Sequence, residues 1–337
     1  MINSQSIMEK PLVSMICLTY NMELYIKQTI ESLLMQRTTF PFEIIIHDDA
    51  STDNTRRIIE DYALKYPAII KPLYQEENKL SKSGFHFQYS FVFPKAQGNY
   101  IVFCDGDDYW IDPLKVQKQV DFLESNPDYG LVHTKAVKFY DDRDVFEGIV
   151  GYEFADFEEL ITECTVAHSS VCYRNNLIKQ YIEEVRPEER INWTTNDFPV
   201  WLWFIQHTKV KLLEDITTVY RQRNESISHI GNDFKRLRFL EGVYEVVDYY
   251  LSEYSNQINE NKIKSRYYSN LINNYFLTRK WEGVRKSIKI FYDANDWINL
   301  LWIAVTFPFS FSRLLIKGSY RVRSLIFNVF NIYPIKK

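Results

Sequence analysis

Several signatures of common nucleotide-binding and metal-binding folds are missing from this sequence. No G-x-G-x-x-G motif follows the apolar run at residues 12–19, so the dinucleotide-binding fingerprint is absent, and no G-x-x-x-x-G-K-[ST] motif indicates a P-loop. The four cysteines include no C-x-x-C pair, and Cys17 and Cys104 fall in predicted buried strands. We therefore interpret them as reduced thiols of a cytosolic protein rather than a disulfide framework or a zinc site.

The C-terminal end lacks acidic residues. No Asp or Glu follows Asp296, whereas six Lys and Arg residues do. Residues 297–316 are apolar but contain Pro308 and Arg313, which disfavour a spanning helix of about 20 apolar residues. The pattern favours an amphipathic anchor on a membrane surface through residues 297–337, and packing on the rest of the chain or on a second subunit of a homodimer is the alternative.

The overall composition is that of a globular protein. The chain has 337 residues, 46% of them hydrophobic and 25% charged, which suits one large domain and a smaller appendage. A net charge of −4 predicts no nucleic-acid partner. Residues 1–10 lack the apolar core of a signal peptide, so we expect a protein that is not exported.

Strand-like and helix-like segments alternate in the first third of the chain. Short apolar runs predict four strands, and helical spacing predicts helices between them, including one at residues 85–96 and one that begins at Asp112-Pro113. The strands are expected at residues 12–19, 42–47, 69–74 and 100–104. This alternation predicts an α/β fold with a parallel, doubly wound sheet. Residues 130–222 are mixed and residues 233–293 helical, so we expect one α/β domain at 1–230 and a helical region at 231–337.

Polar clusters follow three of the predicted strands. Thr19-Tyr-Asn21 follows the first strand, Asp48-Asp49 the second, and Asp105-Gly-Asp107-Asp108 the fourth. In an open α/β sheet such strand ends meet in one crevice. Two carboxylates separated by one residue can share Mg²⁺ or Mn²⁺ with phosphate oxygens. The sequence therefore proposes a metal-assisted diphosphate site, with a simple polar turn as the alternative.

Six segments in order resemble the family 2 glycosyltransferases, which have the GT-A fold. They are Leu18-Thr-Tyr-Asn21, residues 43–54, residues 103–110, residues 112–120, Asn196-Asp-Phe-Pro-Val-Trp-Leu202 and Val219-Tyr-Arg-Gln-Arg-Asn-Glu-Ser226. The resemblance covers roughly residues 10–230. It implies an inverting transfer from a nucleotide-diphosphate sugar, with UDP as the favoured nucleotide, to a hydroxyl of a saccharide or lipid-linked saccharide. The lipid-linked acceptor would suit an enzyme at the inner face of a membrane.

The resemblance also implies roles for the residues at the strand ends. Asp107 is the first choice for direct metal contact, and Asp105 contacts the metal or the ribose. Asp108 caps the next segment or orients Asp107. The expected nucleotide-sugar contacts come from the ends of the first, second and fourth strands: Thr19, Tyr20, Asn21, Asp48, Asp49, Asp105 and Gly106.

Asp197 matches the catalytic base of the family. Inverting transfer needs one carboxylate that removes the proton of the acceptor hydroxyl, and such help is worth about 10²–10⁴-fold. An aspartate before an apolar helix is also a good N-cap, so this position is compatible with both roles.

Basic residues complete the implied donor site. Arg221 and Arg223 are expected to bind the diphosphate, although Arg223 stands where many relatives carry His, and either residue suits a surface ion pair as well. Lys82 is a weaker candidate, because Leu80 replaces the glycine that relatives have in this segment. On the acceptor side the resemblance implies His168, Ser169 and Trp110, for which structural roles are the alternative.

Two rival hypotheses remain open from the sequence. A sugar-nucleotide pyrophosphorylase would share the sheet topology, but it would need a glycine-rich basic loop after the first strand, where this chain has Thr19-Tyr-Asn-Met-Glu23. A non-catalytic nucleotide-sugar or glycan-binding scaffold is the other rival, and the intact Asp105, Asp107 and Asp197 disfavour it.

Overall fold

A computed structural model describes residues 10–84, 87–223, 233–254 and 258–300. The chain divides into two compact units. The first comprises Met1–Gly231 with Glu245–Tyr250, and the second comprises Asn232–Tyr244 with Leu251–Lys337. The expected division of the chain into domains at 1–230 and 231–337 stays a prediction.

The first half of the sheet is parallel, as the alternation predicted. Its strands are β1 (Val13–Thr19), β2 (Phe42–Asp48), β3 (Ile70–Tyr74) and β4 (Tyr100–Phe103), in the order β3-β2-β1-β4. Helices α1 (Ile26–Leu34) and α2 (Thr55–Lys65) lie between the first three strands in the chain. β1, β2 and β4 are almost entirely buried, as expected for strands covered on both faces, and their carboxyl ends share one edge of the sheet.

The segment expected to be one helix at residues 85–96 is broken. Its described part contains α4 (Phe87–Phe91) and a 3₁₀ turn (Phe93–Lys95), and a short helix α3 (Lys79–Ser83) precedes it. Pro94 cannot donate a backbone hydrogen bond, which accounts for the break.

The second half of the sheet mixes directions. It contains β5 (Tyr109–Trp110), β6 (Tyr129–Tyr140), β7 (Val145–Val150), β8 (Val171–Arg174) and β9 (Lys209–Gln222). The strand order continues β4-β8-β6-β9-β5, with β7 paired to β6. β8 runs antiparallel to β4 and β6, whereas β6 and β9 are parallel. Four helices belong to this part: α5 (Lys115–Ser125), α6 (Phe157–Thr162), α7 (Asn175–Val185) and α8 (Phe198–His207).

β9 spans 14 residues, and its pairing with β6 is irregular. Thr134 of β6 pairs with Leu213, but its neighbour Lys135 pairs with Ile216 and Ala136 with Thr218. Glu214, Asp215 and Thr217 are therefore extra residues on β9. This bulged strand ends at Gln222, beside the carboxylates that follow β4.

The second unit is helical, as the sequence predicted. α9 (Asp233–Tyr254) is shared between the units, while α10 (Glu260–Leu277) and α11 (Trp281–Asp293) belong to the second. Its buried apolar cluster includes Leu237, Leu271, Val284 and Phe291. Within the described ranges, no helix has both the length and the apolar character needed to cross a membrane. The predicted anchor at 297–337 lies outside the described residues from position 301 onward.

Candidate active site

Two buried polar atoms at the ends of β1 and β2 have no hydrogen-bond partner among the described residues. Asp48 is fully buried, and its Oδ2 accepts a long hydrogen bond of 3.4 Å from the backbone N–H of Ser51. Its Oδ1 and the hydroxyl of Thr19 have no partner in the described part of the chain. Burial raises the pKa of Asp48. Because buried polar groups are almost always paired, these two atoms are open to a ligand that supplies the missing partners.

Asp49 uses both of its carboxylate oxygens to hold the loop that follows β3. It accepts hydrogen bonds from the backbone N–H groups of Lys79 at 2.7 Å and Leu80 at 2.9 Å. Asp49 thus caps the start of α3 and fixes the rim of the crevice. Lys82, which the sequence placed at the nucleotide, has an exposed side chain that pairs with Glu77.

Asn21 joins the loops that follow β1 and β2. Its backbone is left-handed, with φ of 53°, a conformation that Asn tolerates better than most residues. Its side-chain oxygen accepts a hydrogen bond of 2.8 Å from the N–H of Thr52, and its own N–H donates to the Ser51 hydroxyl at 2.9 Å. The neighbouring Tyr20 is 37% exposed and stands at this rim.

Gly106 packs the Asp-x-Asp loop directly against the end of β1. Its N–H donates to the carbonyl of Leu18 at 3.0 Å, and a Cβ added here would lie 2.8 Å from the Cβ and hydroxyl of Thr19. The hydroxyl of Thr29 donates to the carbonyls of Gly106 at 3.0 Å and Asp108 at 2.7 Å. Only glycine permits this approach, which brings the loop of Asp105 and Asp107 against Thr19, the register partner of Asp48.

Asp108 is the fully enclosed member of the acidic cluster and ties three segments together. Its Oδ2 accepts a hydrogen bond of 2.6 Å from the hydroxyl of Ser169, and its Oδ1 accepts one of 2.9 Å from the backbone N–H of Arg221. The Ser169 hydroxyl in turn accepts the N–H of Asp105 at 3.0 Å. Burial raises the pKa of Asp108 well above its usual range, and the charges of Asp107 and Asp105 add to this. These contacts position the cluster.

Asp107 is bound to Arg223. The Nε and Nη2 atoms of Arg223 lie 2.8 Å and 2.7 Å from the same carboxylate oxygen, Oδ2, of Asp107. Burial raises the pKa of Asp107, and the Arg223 charge opposes that rise. The sequence offered a surface ion pair as one alternative for Arg223; the pair exists, but both side chains are mostly buried, at 15% and 16% exposure.

Arg221 is committed to protein groups. Its guanidinium donates to the carbonyl of Asp107 at 2.8 Å, to the carboxylate of Asp141 at 3.0 Å and to the side chain of Gln28 at 2.8 Å. The side chain is only 7% exposed. Arg221 therefore supports the Asp-x-Asp loop from beneath. Asp141 and Gln28 belong to this network but carry no recognisable sequence signal, since they lie 80 and 193 residues from Arg221.

The acidic cluster suits a metal that is shared with phosphate. In the described ranges, no group of three or more His, Cys, Asp or Glu side chains is placed to hold a metal ion alone. Mg²⁺ commonly binds one or two carboxylates and takes its remaining ligands from substrate phosphates and water. Asp105 and Asp107 fit that donor set, with the Asp105 side chain 34% exposed. The fit requires that Arg223 share or release Asp107.

His168 lies against Asp105. Its Nδ1 is 3.1 Å from Oδ2 of Asp105, and its ring stacks on Phe103 at 4.3 Å between centroids. Burial lowers the pKa of His168, but the Asp105 carboxylate outweighs this effect, so that the pKa is raised. The resemblance placed His168 on the acceptor side; the geometry joins it to the donor-side carboxylate.

Trp110 and Ser169, also expected on the acceptor side, are buried at 1% exposure each. The indole N–H of Trp110 donates to the carbonyl of Ser169 at 2.8 Å, and the Lys115 ammonium lies 4.3 Å from its ring centroid. The Trp110 ring is therefore part of the core, which is the structural role that the sequence left as the alternative for this residue. The sequence could not distinguish the two positions, because apolar aromatics suit both.

Asp197 caps α8. Its Oδ1 accepts hydrogen bonds from the N–H of Phe198 at 2.8 Å and from the hydroxyl of Thr195 at 2.5 Å. Its Oδ2 has no partner in the part of the chain that the structure describes. The cap fixes the carboxylate and leaves one oxygen available, so the two roles considered for Asp197 are compatible.

Comparison with known proteins places this site in a family. The family model described as glycosyl transferase family 2 matches residues 14–182, half of the chain. The uncharacterized protein Rv1520 of Mycobacterium tuberculosis is 32% identical over 221 residues, which cover 64% of this chain. The chain thus spans 60% of the length of that relative.

Two solved structures show the same fold. Staphylococcus aureus TarS 1–349 with UDP-GlcNAc has a TM-score of 0.54 at 20% identity and covers 84% of this chain and 80% of its own. The mannosyltransferase PcManGT of Pyrobaculum calidifontis, in complex with GDP-Man and Mn²⁺, has a TM-score of 0.51 at 14% identity and covers 96% and 88%. These matches confirm the predicted α/β class and GT-A fold.

Proposed function

Because the chain belongs to glycosyl transferase family 2, we propose that it is a glycosyltransferase that moves a sugar from a nucleotide-diphosphate donor to an acceptor hydroxyl with inversion. The observation that carries the proposal is the meeting of two features at one sheet edge. The unpartnered Asp48 and Thr19 atoms lie at the ends of β2 and β1, and Gly106 holds the Asp105–Asp107 loop against the same Thr19. A nucleoside next to a diphosphate needs those two kinds of group side by side.

The nucleoside end of the donor is assigned to Asp48 and Thr19. The free Oδ1 of Asp48 is an acceptor for a base N–H or a ribose hydroxyl, and the Thr19 hydroxyl can donate or accept. Asn21 and Tyr20 form the rim, and Asp49 acts through the α3 loop that it caps. The neighbours solved with UDP-GlcNAc and GDP-Man are compatible with such a donor. UDP is our preferred nucleotide.

The diphosphate end is assigned to Asp105 and Asp107 with Mg²⁺ or Mn²⁺. Bound there, the metal would neutralise charge that grows on the departing diphosphate. The chain's own part is to hold the two carboxylates in place, through Gly106 on one side and the Ser169–Asp108 contact on the other. Arg221 supports the loop through its hydrogen bond to the Asp107 carbonyl.

Asp197 is assigned as the general base. Its capped Oδ1 fixes the carboxylate, and the uncommitted Oδ2 would accept the proton of the acceptor hydroxyl as that oxygen attacks the sugar. The acceptor in this proposal is a saccharide or a lipid-linked saccharide. We further propose a cytoplasmic protein that works peripherally at the inner face of a membrane through residues 297–337, with a homodimer as an additional option.

Nucleotide binding tests the proposal directly. Melting temperatures would be measured with UDP, GDP, CDP and ADP, each with and without Mn²⁺. A ligand that binds only the folded state raises the melting temperature by mass action. At 100 times its Kd, such a ligand adds about 2.7 kcal/mol to the free energy of unfolding. We expect a shift with one nucleotide, enhanced by metal and reduced in Asp48→Asn and in Asp107→Asn.

The matched control for these variants is Asp156→Asn, which alters the N-cap of α6. It should lower the melting temperature slightly and leave the nucleotide shift unchanged. A wild-type protein that shows no shift with any nucleotide, with or without metal, would contradict the donor assignment.

A further inference from the structure

Arg223 forms a contact that the donor role alone does not explain. Its guanidinium places Nε and Nη2 within 2.8 Å and 2.7 Å of Oδ2 of Asp107, which is the carboxylate assigned to the metal. An arginine keeps its positive charge at all ordinary pH values. A permanent cation therefore sits on the oxygen that a divalent cation would use.

The surrounding charges make Arg223 the resident counterion of this carboxylate. Asp107 lies in sequence between Asp105 and the buried Asp108, and its side chain is 16% exposed. A buried carboxylate beside like charges needs a cation close to it. Arg221 cannot serve, because its guanidinium is used by Asp141, Gln28 and the Asp107 carbonyl.

The aromatic ring of Tyr25 is a second partner within reach of the Arg223 guanidinium. It follows directly on Gln222, the last residue of β9, and its guanidinium carbon lies 5.2 Å from the ring centroid of Tyr25. The Tyr25 hydroxyl is fixed by a hydrogen bond of 2.7 Å to Asp141. A fixed aromatic face can support the guanidinium when it leaves Asp107.

We propose that Arg223 competes with the divalent metal for Asp107. When the donor binds, the Arg223 guanidinium leaves Asp107 and pairs with the diphosphate. The proposal rests on the donor assignment above. Without a nucleotide, Arg223 keeps the metal affinity of the site low. When a diphosphate arrives, its oxygens offer the guanidinium a new bidentate partner, and Asp107 becomes free for the metal. Metal and nucleotide therefore bind with strong mutual enhancement, and Arg223 is the positioning residue that produces it.

Calorimetric titration of the full chain measures this coupling. The chain is titrated with Mn²⁺ alone, with UDP alone, and with each ligand in the presence of the other. Arg223→Gln removes the charge, and Arg223→Lys keeps it without the planar fork. In Arg223→Gln we expect Mn²⁺ alone to bind at least tenfold more tightly than in the wild type. UDP without metal should bind about tenfold more weakly, because the guanidinium no longer meets the diphosphate. The factor by which UDP tightens Mn²⁺ binding should fall correspondingly.

Arg143→Gln is the control for a general loss of positive charge, since Arg143 pairs with Glu147 on the exposed β6–β7 turn. It should leave both affinities unchanged. The Mn²⁺ and UDP affinities of Arg223→Lys should lie between those of the wild type and of Arg223→Gln. Arg223→Lys provides the measurement if Arg223→Gln does not fold.

Two negative results have different meanings. If Mn²⁺ alone binds Arg223→Gln and Arg223→Lys no more tightly than it binds the wild type, while the wild type still binds UDP, the competition is refuted and the donor assignment stands. If the wild type binds UDP neither alone nor with Mn²⁺, the donor assignment itself fails, and the competition fails with it.

Discussion

The hydroxyl of Ser169 donates a hydrogen bond of 2.6 Å to the buried carboxylate of Asp108 and accepts the backbone N–H of Asp105. Ser169→Ala would remove the partner of the Asp108 Oδ2 atom and of the Asp105 N–H, while Oδ1 of Asp108 keeps its hydrogen bond from the Arg221 N–H. We expect the free energy of unfolding to fall by about 1–3 kcal/mol. Nucleotide affinity should fall as well, because Asp105 loses its support. Urea unfolding and calorimetry measure the two effects.

Ser170→Ala is the matched control, because its hydroxyl donates only to the carbonyl of Ala167 within the same buried turn. It should affect stability alone. Equal losses of nucleotide affinity in the two variants would mean that the Ser169–Asp108 contact has no special bearing on the site.

Gly106→Ala should damage the site more than the fold. The new methyl group would lie 2.8 Å from the Thr19 side chain, so the Asp-x-Asp loop must move away from β1. We expect at least about tenfold weaker binding of the nucleotide and a stability loss of about 1–3 kcal/mol. Gly130→Ala creates a similar clash with Thr208 and Leu177, so it should cost stability without changing the affinity of the folded protein. Unchanged nucleotide binding in Gly106→Ala would disprove the packing argument.

Asp197→Asn separates the helix cap from the general base. The amide oxygen can still accept the N–H of Phe198, so the variant should fold and bind donor with nearly wild-type affinity. Turnover should fall by about 10²–10⁴-fold, because an amide cannot take up the acceptor proton. Steady-state kinetics with a competent acceptor provide the measurement. Wild-type turnover in this variant would remove Asp197 from the mechanism.

Acid should destabilise the protein through His133. Burial lowers the pKa of this histidine to about 4, whereas an unfolded chain has a value of about 6.5. The unfolded state therefore binds the proton first, and stability is lost as the pH falls from 6.5 towards 4, by up to about 3 kcal/mol for this residue. His133→Phe keeps an aromatic ring against Phe154 but cannot bind the proton. In this variant the free energy of unfolding, measured with urea at pH 7, 5.5 and 4, should decline less steeply.

If His133→Phe loses stability as steeply as the wild type does, other groups control the acid response.

The parallel half of the fold and its polar strand ends were predictable because the signals are local. Buried strands such as β1 and β2 appear as continuous apolar runs, and the carboxyl ends of parallel strands must share an edge. The same rule predicts from the sequence that Thr19, Asp48 and Asp105 lie at one edge of the sheet. The GT-A fold, implied by the resemblance, is confirmed by the solved structures.

The partners of those residues were not predictable, because they come from distant parts of the chain. Arg223 reaches Asp107 across 116 residues, and Ser169 reaches Asp108 across 61. Asp49 is a further example: an acidic residue beside Asp48 suggests a ligand contact, whereas the structure gives both oxygens to backbone N–H groups. Side-chain type shows what a residue can bind, but only the fold determines which partner is near.

The irregular pairing of β9 determines which insertions and deletions the chain can tolerate. Side chains alternate between the two faces of a strand, so the three extra residues between Leu213 and Thr218 reverse that alternation relative to a regular pairing with β6. Removing any one of them would turn Arg221 away from Asp141 and move Arg223 off Asp107. Changes of length in this stretch should therefore be accepted only in steps of two, and homologous chains that bind the same donor should differ here by even numbers of residues.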